Sequence, residues 1–290
     1  MHEEVTKKHY LDTSVVRPRL LGLKIYKEYL SSQFGNNSLY ISKYIQMEFR
    51  RSFIYNVICF YFTFRVPTIE TIDDALRFWS NKYSSRELKA IIQLAAELFH
   101  TRNLDFNNPK EKPKALIHLA LLIKRIDAKL RHNFKDIGKD TARCIRASIA
   151  LKVDLKNIAN DFKEFSEAFD NVKFCRSKCH IDSFLLTRYR KEINEFIKKA
   201  EELPFNNDTK GFKKISENLS KILKDGAKKC SCRMCGKIGD AVIALDAPRK
   251  MRLEHTDKAF DYLCPLISQP HKKHPPEISL ISNRNDEKTS

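Results

Sequence analysis

The stretch from Lys7 to Val16, KKHYLDTSVV, constrains the fold more than any other part of the chain. A pair of lysines gives way to a short apolar run, then to Asp-Thr-Ser, then to two valines. This pattern predicts a β-strand over 8–14 with a tight turn into a helix. Asp12 is then expected at the carboxyl end of the strand, where open α/β sheets bind ligands. A helix cap is the plainer role for an aspartate in this position.

The net charge narrows the class of partner. The chain has 54 Lys+Arg against 36 Asp+Glu, a formal net charge of +18 at pH 7. A charge of this size favours a polyanion, and nucleic acid is the commonest one. A generally basic surface with no such partner is the alternative.

Composition and the N-terminal segment limit the fold class and the cellular compartment that we predict. Only seven glycines occur in 290 residues, which suits long helices. The N-terminal MHEEVTKK has no apolar signal core, so we predict a cytoplasmic protein whose eight cysteines are reduced thiols or metal ligands. The longest apolar run, Phe53 to Phe64, falls short of the ~20 residues of a membrane helix. It predicts a buried helix running into a strand, and no membrane partner.

The pattern of strands and helices changes along the chain. A helix is predicted over 20–30, a second strand over 39–42, and a helix capped by Ser42 that carries Glu48. From Pro67 to Lys229 the periodicity is helical. The predicted helices there cover 73–83, 85–100, 115–134, 141–153, 155–172, 182–203 and 212–224.

The α/β pattern returns near the C-terminus. Asp240 lies near the amino end of a helix that begins at Gly239, where a carboxylate is favoured. A strand over 251–255 ends at Asp257, and a short helix over 258–263 follows. A last strand is predicted over 263–268, and residues 269–290 are predicted to be a mobile polar tail.

Four acids thus occupy matching places: Asp12, Glu48, Asp240 and Asp257. They are expected to meet at the carboxyl edge of one parallel sheet. Like charges that meet are costly unless a hard divalent cation neutralises them. Mg²⁺ or Mn²⁺ held by carboxylates can activate water and stabilise the charge on a phosphoryl group. Each acid also has a plainer role: a turn cap for Asp12, a surface charge for Glu48, an N-cap for Asp240, and the start of a helix for Asp257.

The segments LDTSVV, ISKYIQMEF, GDAVIAL and HTDKAF, in this order, resemble a PIN-domain nuclease. The resemblance covers roughly 8–66 and 236–268. It implies an α/β fold, a three-layer α/β/α sandwich with a parallel sheet, interrupted by a large all-α insertion. The implied parts are a core over 1–66 and 230–268, a basic helical insertion over 67–229, and the tail over 269–290.

The resemblance also implies a function, namely hydrolysis of phosphodiester bonds, with RNA as the favoured substrate. Asp12, Glu48, Asp240 and Asp257 would hold Mg²⁺ or Mn²⁺, and Ser14 would support Asp12 by hydrogen bonding. A structure-specific DNA nuclease and a non-catalytic nucleic-acid-binding or assembly module remain alternatives. An antitoxin or another protein partner stays open, as do roles in toxicity, defence and RNA processing.

The sequence departs from the family pattern at two positions. His255 stands where the family usually has Ser or Thr, and Ala259 stands where many members carry a further Asp. The missing acid puts a second metal position in doubt. A haloacid-dehalogenase phosphatase is excluded, because that motif needs a second Asp where this chain has Ser14.

Two groups of cysteines have spacings that suit tetrahedral zinc. The expected ligands of a structural zinc ion are Cys175, Cys179, Cys232 and Cys235, with Cys230 or His180 as substitutes. Two unrelated groups of reduced cysteines are the alternative. The remaining cysteines, Cys59, Cys144 and Cys264, are predicted core residues.

The predicted helices of the middle segment are rich in Lys and Arg. Arg188, Arg190 and Lys191 are the candidates for contact with nucleic-acid phosphates. Helices of this kind are usually solvated faces, and that is the competing interpretation.

Overall fold

The computed structural model describes residues 8–21, 24–35, 37–82, 86–137, 180–225 and 237–275. These residues form an α/β fold around a five-stranded sheet in which all neighbouring strands are parallel. The strands are β1 (Lys8–Leu11), β2 (Ser38–Ile41), β3 (Lys135–Asp136), β4 (Arg252–His255) and β5 (His271–Lys273), in the spatial order β3-β2-β1-β4-β5.

The helices are numbered over the described residues. The first seven are α1 (Thr13–Leu21), α2 (Lys24–Phe34), α3 (Lys43–Phe49), α4 (Tyr55–Phe64), α5 (Ile72–Lys82), α6 (Arg86–Thr101) and α7 (Lys112–His132). The others are α8 (His180–Arg188), α9 (Arg190–Glu202), α10 (Lys210–Asp225), α11 (Gly239–Asp246) and α12 (Phe260–Leu266).

Helices cover both faces of the sheet, which is compatible with a three-layer α/β/α arrangement. On one face, α2 reaches the strands where the ring of Phe34 packs edge-on against His9, with ring centroids 5.3 Å apart. On the other face, Phe260 of α12 lies 4.9 Å from the ring of His255. Strands buried on both faces form the centre of the hydrophobic core.

A buried carboxylate joins β1, β4 and the segment after β5 on the α2 face. Glu254 is fully buried and bonds His9 Nδ1 at 2.6 Å, His274 Nε2 at 2.7 Å and Arg252 Nε at 2.7 Å. Burial alone raises the pKa of Glu254, but the hydrogen bonds from His274, His9 and Arg252 lower it to about 2. The carboxylate is therefore ionised and paired, which fixes β1 and β4 against the chain that follows β5.

The strand order reverses the direction of the chain between β1 and β4. From β1 the chain moves outward through β2 to β3, and it then returns to the other side of β1 as β4 and β5. The connections after β1 and β4 therefore leave in opposite directions. In open parallel sheets this reversal opens a crevice at the carboxyl ends of the two strands.

The long continuous helix after β2 contains a π-helical turn. Residues Arg50–Ile54 form this turn between α3 and α4, so the helix axis continues while one turn is widened. The side-chain amide of Asn56 donates to the carbonyl of Ser52 at 2.5 Å. This bond satisfies a carbonyl within the widened turn.

A buried ion pair ties the π-helical turn to α7. Arg50 donates from Nε to Oδ1 of Asp127 at 2.7 Å and from Nη2 to Oδ2 at 3.1 Å, and both residues are buried. Arg131 donates to the same carboxylate at 2.7 Å. Bidentate Arg–carboxylate geometry is directional, so the pair fixes how the two helices meet.

Several helix and strand predictions are confirmed, including the cap at Ser42, whose hydroxyl accepts from the amide of Ile45 at 3.2 Å. Three predictions about local structure are wrong. The first strand ends at Leu11, and helix α1 already begins at Thr13. The apolar run 53–64 is helical throughout and enters no strand. The predicted strand over 263–268 is helical for most of its length, because α12 runs to Leu266. The last strand begins only at His271.

The middle segment was predicted to be all-α, and this prediction is wrong. Residues Lys135–Asp136 form β3, whose register pairs Tyr40 with Lys135 and Ile41 with Asp136. Helix α7 packs against α1 and α4, so this part of the segment shares the core of the sheet. The prediction of a mobile tail is wrong for 271–273, which form β5. The part of the predicted tail from 276 to 290 lies outside the described residues. The predicted helices over 141–153 and 155–172 also lie outside them.

Among the described residues, no helix combines the length and the apolar character that a membrane span requires.

The Arg50–Asp127 pair yields a prediction about stability. Asp127→Asn removes the negative charge and leaves the buried guanidinium of Arg50 without a counter-charge. Loss of one partner of a buried pair costs about 3–5 kcal/mol. We expect the free energy of unfolding, measured by urea denaturation, to fall by an amount in this range.

The matched control is an exposed pair within one helix, Lys199–Glu202, at 3.3 Å. Glu202→Gln should change the free energy of unfolding by less than about 1 kcal/mol, because exposed pairs are screened by solvent. Equal effects of the two substitutions would contradict an anchoring role for Asp127.

Candidate metal centre at the carboxyl edge of the sheet

The four predicted acids come together at the reversal point of the sheet. Asp12 follows β1 and Asp257 follows β4, the two strands between which the chain reverses. Glu48 lies on α3 after β2, and Asp240 lies in the first turn of α11. Their charges act on one another, as the pKa shifts below describe.

Asp12 is held in place by the turn that follows β1. Its backbone amide continues the strand ladder by donating to the carbonyl of Glu254 at 2.9 Å. Its Oδ2 accepts from the amide of Ser14 at 3.1 Å and from the hydroxyl of Ser14 at 2.5 Å. The side chain therefore caps α1, and it also lies at the sheet edge with only 5% exposure.

Burial raises the pKa of Asp12, the hydrogen bonds from Ser14 lower it, and the nearby charge of Asp257 raises it. The net direction is upward. The cap role and the place in the acidic cluster are thus compatible in one residue. Ser14 supports Asp12 by hydrogen bonding, as the sequence predicted.

Glu48 is not a surface charge. It is only partly accessible, and the hydroxyl of Thr13 donates to its Oε2. Burial and the charge of Asp12 raise its pKa to about 7, although the Thr13 hydrogen bond and the charges of Arg51 and Arg17 act in the opposite direction. At neutral pH this carboxyl is therefore divided between its two protonation states.

Asp240 occupies the second position of α11 and is not the N-cap, which is Ile238. Burial raises its pKa well above the usual range, and the charges of Asp257, Asp12 and Glu48 raise it further. The preceding residue must be small: a Cβ at Gly239 would lie 3.1 Å from Oε1 of Glu48 and 3.3 Å from the hydroxyl of Tyr44. The glycine thus lets α11 approach α3 closely.

Asp257 is the exposed member of the cluster. Its Oδ1 accepts from the amide of Ala259 at 2.8 Å, so it caps the turn before α12. Its backbone carbonyl accepts from Nδ1 of His255 at 3.0 Å. Burial lowers the pKa of His255 to about 4, so this imidazole is neutral at pH 7.

The electrostatics of the four acids favour a bound cation. Burial is the largest cause of each raised pKa, and the charges of neighbouring acids add to it, so the metal-free site resists carrying several negative charges at once. Oxygen ligands suit Mg²⁺ or Mn²⁺, whose charge would replace the protons. Among the described residues, however, only His255, Asp261 and His271 offer three ligand atoms within 4.8 Å of one another. No three of the four acids meet this criterion.

Sequence reasoning missed several residues at this site. Thr13 positions Glu48, Tyr44 lines the approach of α11, and Arg17 and Arg51 place positive charge near Glu48. Arg51 lies three residues after Glu48 and therefore on the same side of the helix, which is a signal the sequence contained. Arg17 could not be found this way, because its position depends on how α1 packs.

The other predicted site residues lie elsewhere. Arg188, Arg190 and Lys191 are exposed around the junction of α8 and α9. Cys175, Cys179, Cys232 and Cys235 fall outside the described residues, as do Cys144 and Cys230, so the predicted structural zinc stays a prediction. Cys264 is buried in the core and Cys59 packs against it, as expected.

A groove in the helical segment does not overlap the acids. It lies between α9 and α10 and is lined by both basic and acidic side chains, among them Lys213, Lys221, Glu201 and Glu217. No member of the acidic cluster lines it. Its mixed charge gives it no clear ligand, and the sheet edge remains the better candidate site.

Comparisons of this chain with protein-family models, with curated proteins and with solved structures returned no match.

The raised pKa of Glu48 predicts a pH dependence of stability. In the unfolded chain this carboxyl loses its proton near pH 4.5, but in the folded protein it does so only near pH 7. The folded state therefore binds more protons in this window, and metal-free stability should fall as pH rises from 4.5 to 7. In EDTA, Glu48→Gln should remove about 2–3 kcal/mol of this loss.

The measurement is urea denaturation of both proteins between pH 5 and pH 8. The variant's advantage should be small at pH 5 and largest at pH 8. An advantage that is equal at all pH values would show that Glu48 has an ordinary pKa.

Proposed function

We propose that this protein is a metal-dependent nuclease that hydrolyses phosphodiester bonds, with RNA as the favoured substrate. The observation that carries the proposal is the meeting of Asp12, Glu48, Asp240 and Asp257 at the reversal point of a parallel sheet. Acids from four separate elements, each partly desolvated or capped, have little structural reason to share one edge. Their mutual repulsion costs folding free energy unless a cation relieves it.

The donor set fits a hard divalent cation. All four side chains offer carboxylate oxygens, which Mg²⁺ and Mn²⁺ prefer over softer ligands. Such an ion, when bound, lowers the pKa of a water ligand and offsets charge on a phosphoryl oxygen. Because no three of these acids have ligand atoms that all lie within 4.8 Å of one another, binding has to draw some of them inward or leave some of them bonded through water.

The chain's own residues divide the work. Asp12 and Glu48 are oriented by Ser14 and Thr13, so their carboxylates keep one direction in the site. Glu48, whose pKa is about 7 without metal, gives up its proton when it binds the cation, so it would hold the ion and orient the attacking water, whose proton passes to solvent. The water oxygen bonds to phosphorus while the bond from phosphorus to the leaving ribose oxygen breaks, and the leaving oxygen takes a proton from solvent water. Arg17 and Arg51 lie close enough to influence Glu48 and supply positive charge beside the phosphate.

Two helices of the middle segment pack against the helix that follows Asp257. Helices α9 and α10 pack against α12, the helix that directly follows Asp257. The rings of Phe212 and Tyr262 stack with centroids 5.4 Å apart, and Lys258 pairs with Asp208 across the same boundary. Arg190 and Lys191 begin α9, and Arg188 ends α8.

The first test is cleavage. Wild-type protein is incubated with labelled single-stranded RNA, single-stranded DNA and duplex DNA, with Mn²⁺ and with EDTA. We expect cleavage of RNA with Mn²⁺ only. Asp12→Asn and Asp240→Asn should lower the rate at least about a hundredfold, because a ligand is lost. Ser14→Ala should lower it about 10- to 100-fold, because Asp12 loses its support.

Glu201→Gln on α9 is the matched control, since it removes an exposed carboxylate outside the cluster. It should cleave like the wild type. Cleavage of DNA alone would favour the DNA-nuclease alternative, and binding without any cleavage would favour a non-catalytic module. Cleavage that survives both Asp→Asn substitutions would refute the proposed site.

The second test is the salt dependence of binding. Binding of RNA to Asp240→Asn in EDTA should weaken steeply with salt, because neutralised phosphates release counterions. Reversal of Arg188, Arg190 and Lys191 to Glu should weaken binding for all sequences. It should also reduce the log–log slope by about 2 if all three contact phosphates. Fluorescence anisotropy between 50 and 300 mM salt measures both.

A second triple reversal keeps the change in net charge the same. Its exposed positions are Arg102, Lys110 and Lys124. We expect this variant to keep the slope of the parent protein. Equal losses in both triple variants would mean that overall charge, and not the surface at α8–α9, drives binding.

A further inference from the structure

A second cluster of metal-ligand atoms lies on the α12 face of the sheet. Nε2 of His255 and Nδ1 of His271 face each other at 3.1 Å, and Oδ1 of Asp261 lies 4.0 Å from the same Nε2. The three ligand atoms all lie within 4.8 Å of one another. They come from β4, β5 and α12, so three elements converge on one point.

The tautomer of His255 is fixed by its other ring nitrogen. A backbone carbonyl can only accept, so the bond between Nδ1 and the carbonyl of Asp257 places the proton on Nδ1. Nε2 therefore carries the lone pair and points at the cluster. A ligating histidine whose remaining N–H donates to a carbonyl is the usual arrangement around protein-bound zinc.

The ring positions are also held by packing. The two imidazoles lie 5.3 Å apart at 23°, and Phe260 packs against His255 at 4.9 Å. His255 is fully buried, whereas His271 and Asp261 are partly exposed, so an ion can enter from solvent. Without metal, Nδ1–H of His271 would donate to His255, and coordination requires only that this proton move to the other nitrogen of His271.

Asp261 presents one oxygen to the cluster. Its Oδ2 is paired with Lys273, while Oδ1 is the atom nearest to His255. Zinc bonded at about 2.0–2.1 Å in a tetrahedron holds its ligand atoms about 3.3 Å apart. The observed separations of 3.1 and 4.0 Å lie on either side of that value, so a small rotation of Asp261 completes the set.

We propose that His255, His271 and Asp261 form a Zn²⁺ site that joins α12 to strands β4 and β5. Imidazole nitrogens favour zinc over Mg²⁺, which separates this site chemically from the carboxylates of the sheet edge. The site does not depend on nuclease activity. Since His255 also bonds the carbonyl of Asp257, an ion here would steady the segment that carries that acid.

The test is zinc titration of full-length protein that has been stripped with chelator and dialysed, against a competing zinc indicator. Wild type should bind one more equivalent of zinc than His271→Ala or Asp261→Asn. Any zinc held by the cysteines is common to all three proteins and cancels. His100→Ala, an exposed histidine on α6, is the matched control and should bind as the wild type does.

A variant that should bind zinc more tightly is also needed, because misfolding could cause a loss of zinc binding but not a gain. Lys273→Met removes a competing positive charge from Asp261, so zinc should bind more tightly and raise the melting temperature further than in wild type. His271→Ala and Asp261→Asn leave all four acids of the sheet edge in place, so failure of the nuclease proposal would leave this result standing. Equal zinc uptake by wild type, His271→Ala and Asp261→Asn would mean that the cluster is a His–His hydrogen bond only and would overturn the proposal.

Discussion

Repulsion among four carboxylates at one edge of the sheet is the constraint around which the fold is arranged. Asp12, Glu48 and Asp240 all have raised pKa values, because burial and neighbouring charges act together. A protein tolerates such a cost only if the surrounding structure is strong enough to hold the acids in place. The question is therefore what keeps the strands and helices from relaxing outward.

Two buried ion networks hold the elements that carry the acids. Glu254, one strand residue before His255, holds β1, β4 and the chain after β5 through three charged or polar partners. Arg50, two residues after Glu48, holds the helix of that acid to α7 through Asp127. In each case a candidate acid is close in sequence to a buried charged residue that has a partner: Asp257 lies three residues after Glu254, and Glu48 lies two residues before Arg50. Buried pairs of this kind specify geometry more than they add stability.

The sequence predicted the parts of the fold that depend on local chemistry. Asp12 and Ser42 cap helices within three residues of themselves, and Ser14 donates to Asp12 two residues before it, so their roles could be inferred from short motifs. Asp12 and Asp257 were predicted because each follows a strand, Asp240 because it lies near the start of a helix, and Glu48 because it lies on the helix after the second strand. The edge strand β3 was missed because two residues, Lys135 and Asp136, carry no apolar alternation and pair only where β2 offers an open edge.

Other failures have the same origin in tertiary structure. Residues 263–268 are apolar enough for a strand, but packing of Phe260 and Leu263 against the sheet makes them helical, while the polar His271–Lys273 forms the strand. The pKa of Glu48 and the approach of Arg17 depend on residues distant in sequence. The His255–His271 pair could not be predicted either, because the two residues meet only through the pairing of β4 with β5, and His271 lies in a segment predicted to be a mobile tail.

The π-helical turn at Arg50–Ile54 acts as a phase shift within one continuous helix. A widened turn takes up about one additional residue, and each residue of an α-helix rotates the chain by about 100°. Glu48 before the turn and the apolar face of Val57, Phe60 and Phe64 after it can therefore face different neighbours on a shared axis. Loss of a single residue here would return the widened turn to an ordinary α-helical turn and leave the two halves in step, so this turn is the point where the helix absorbs a change in chain length.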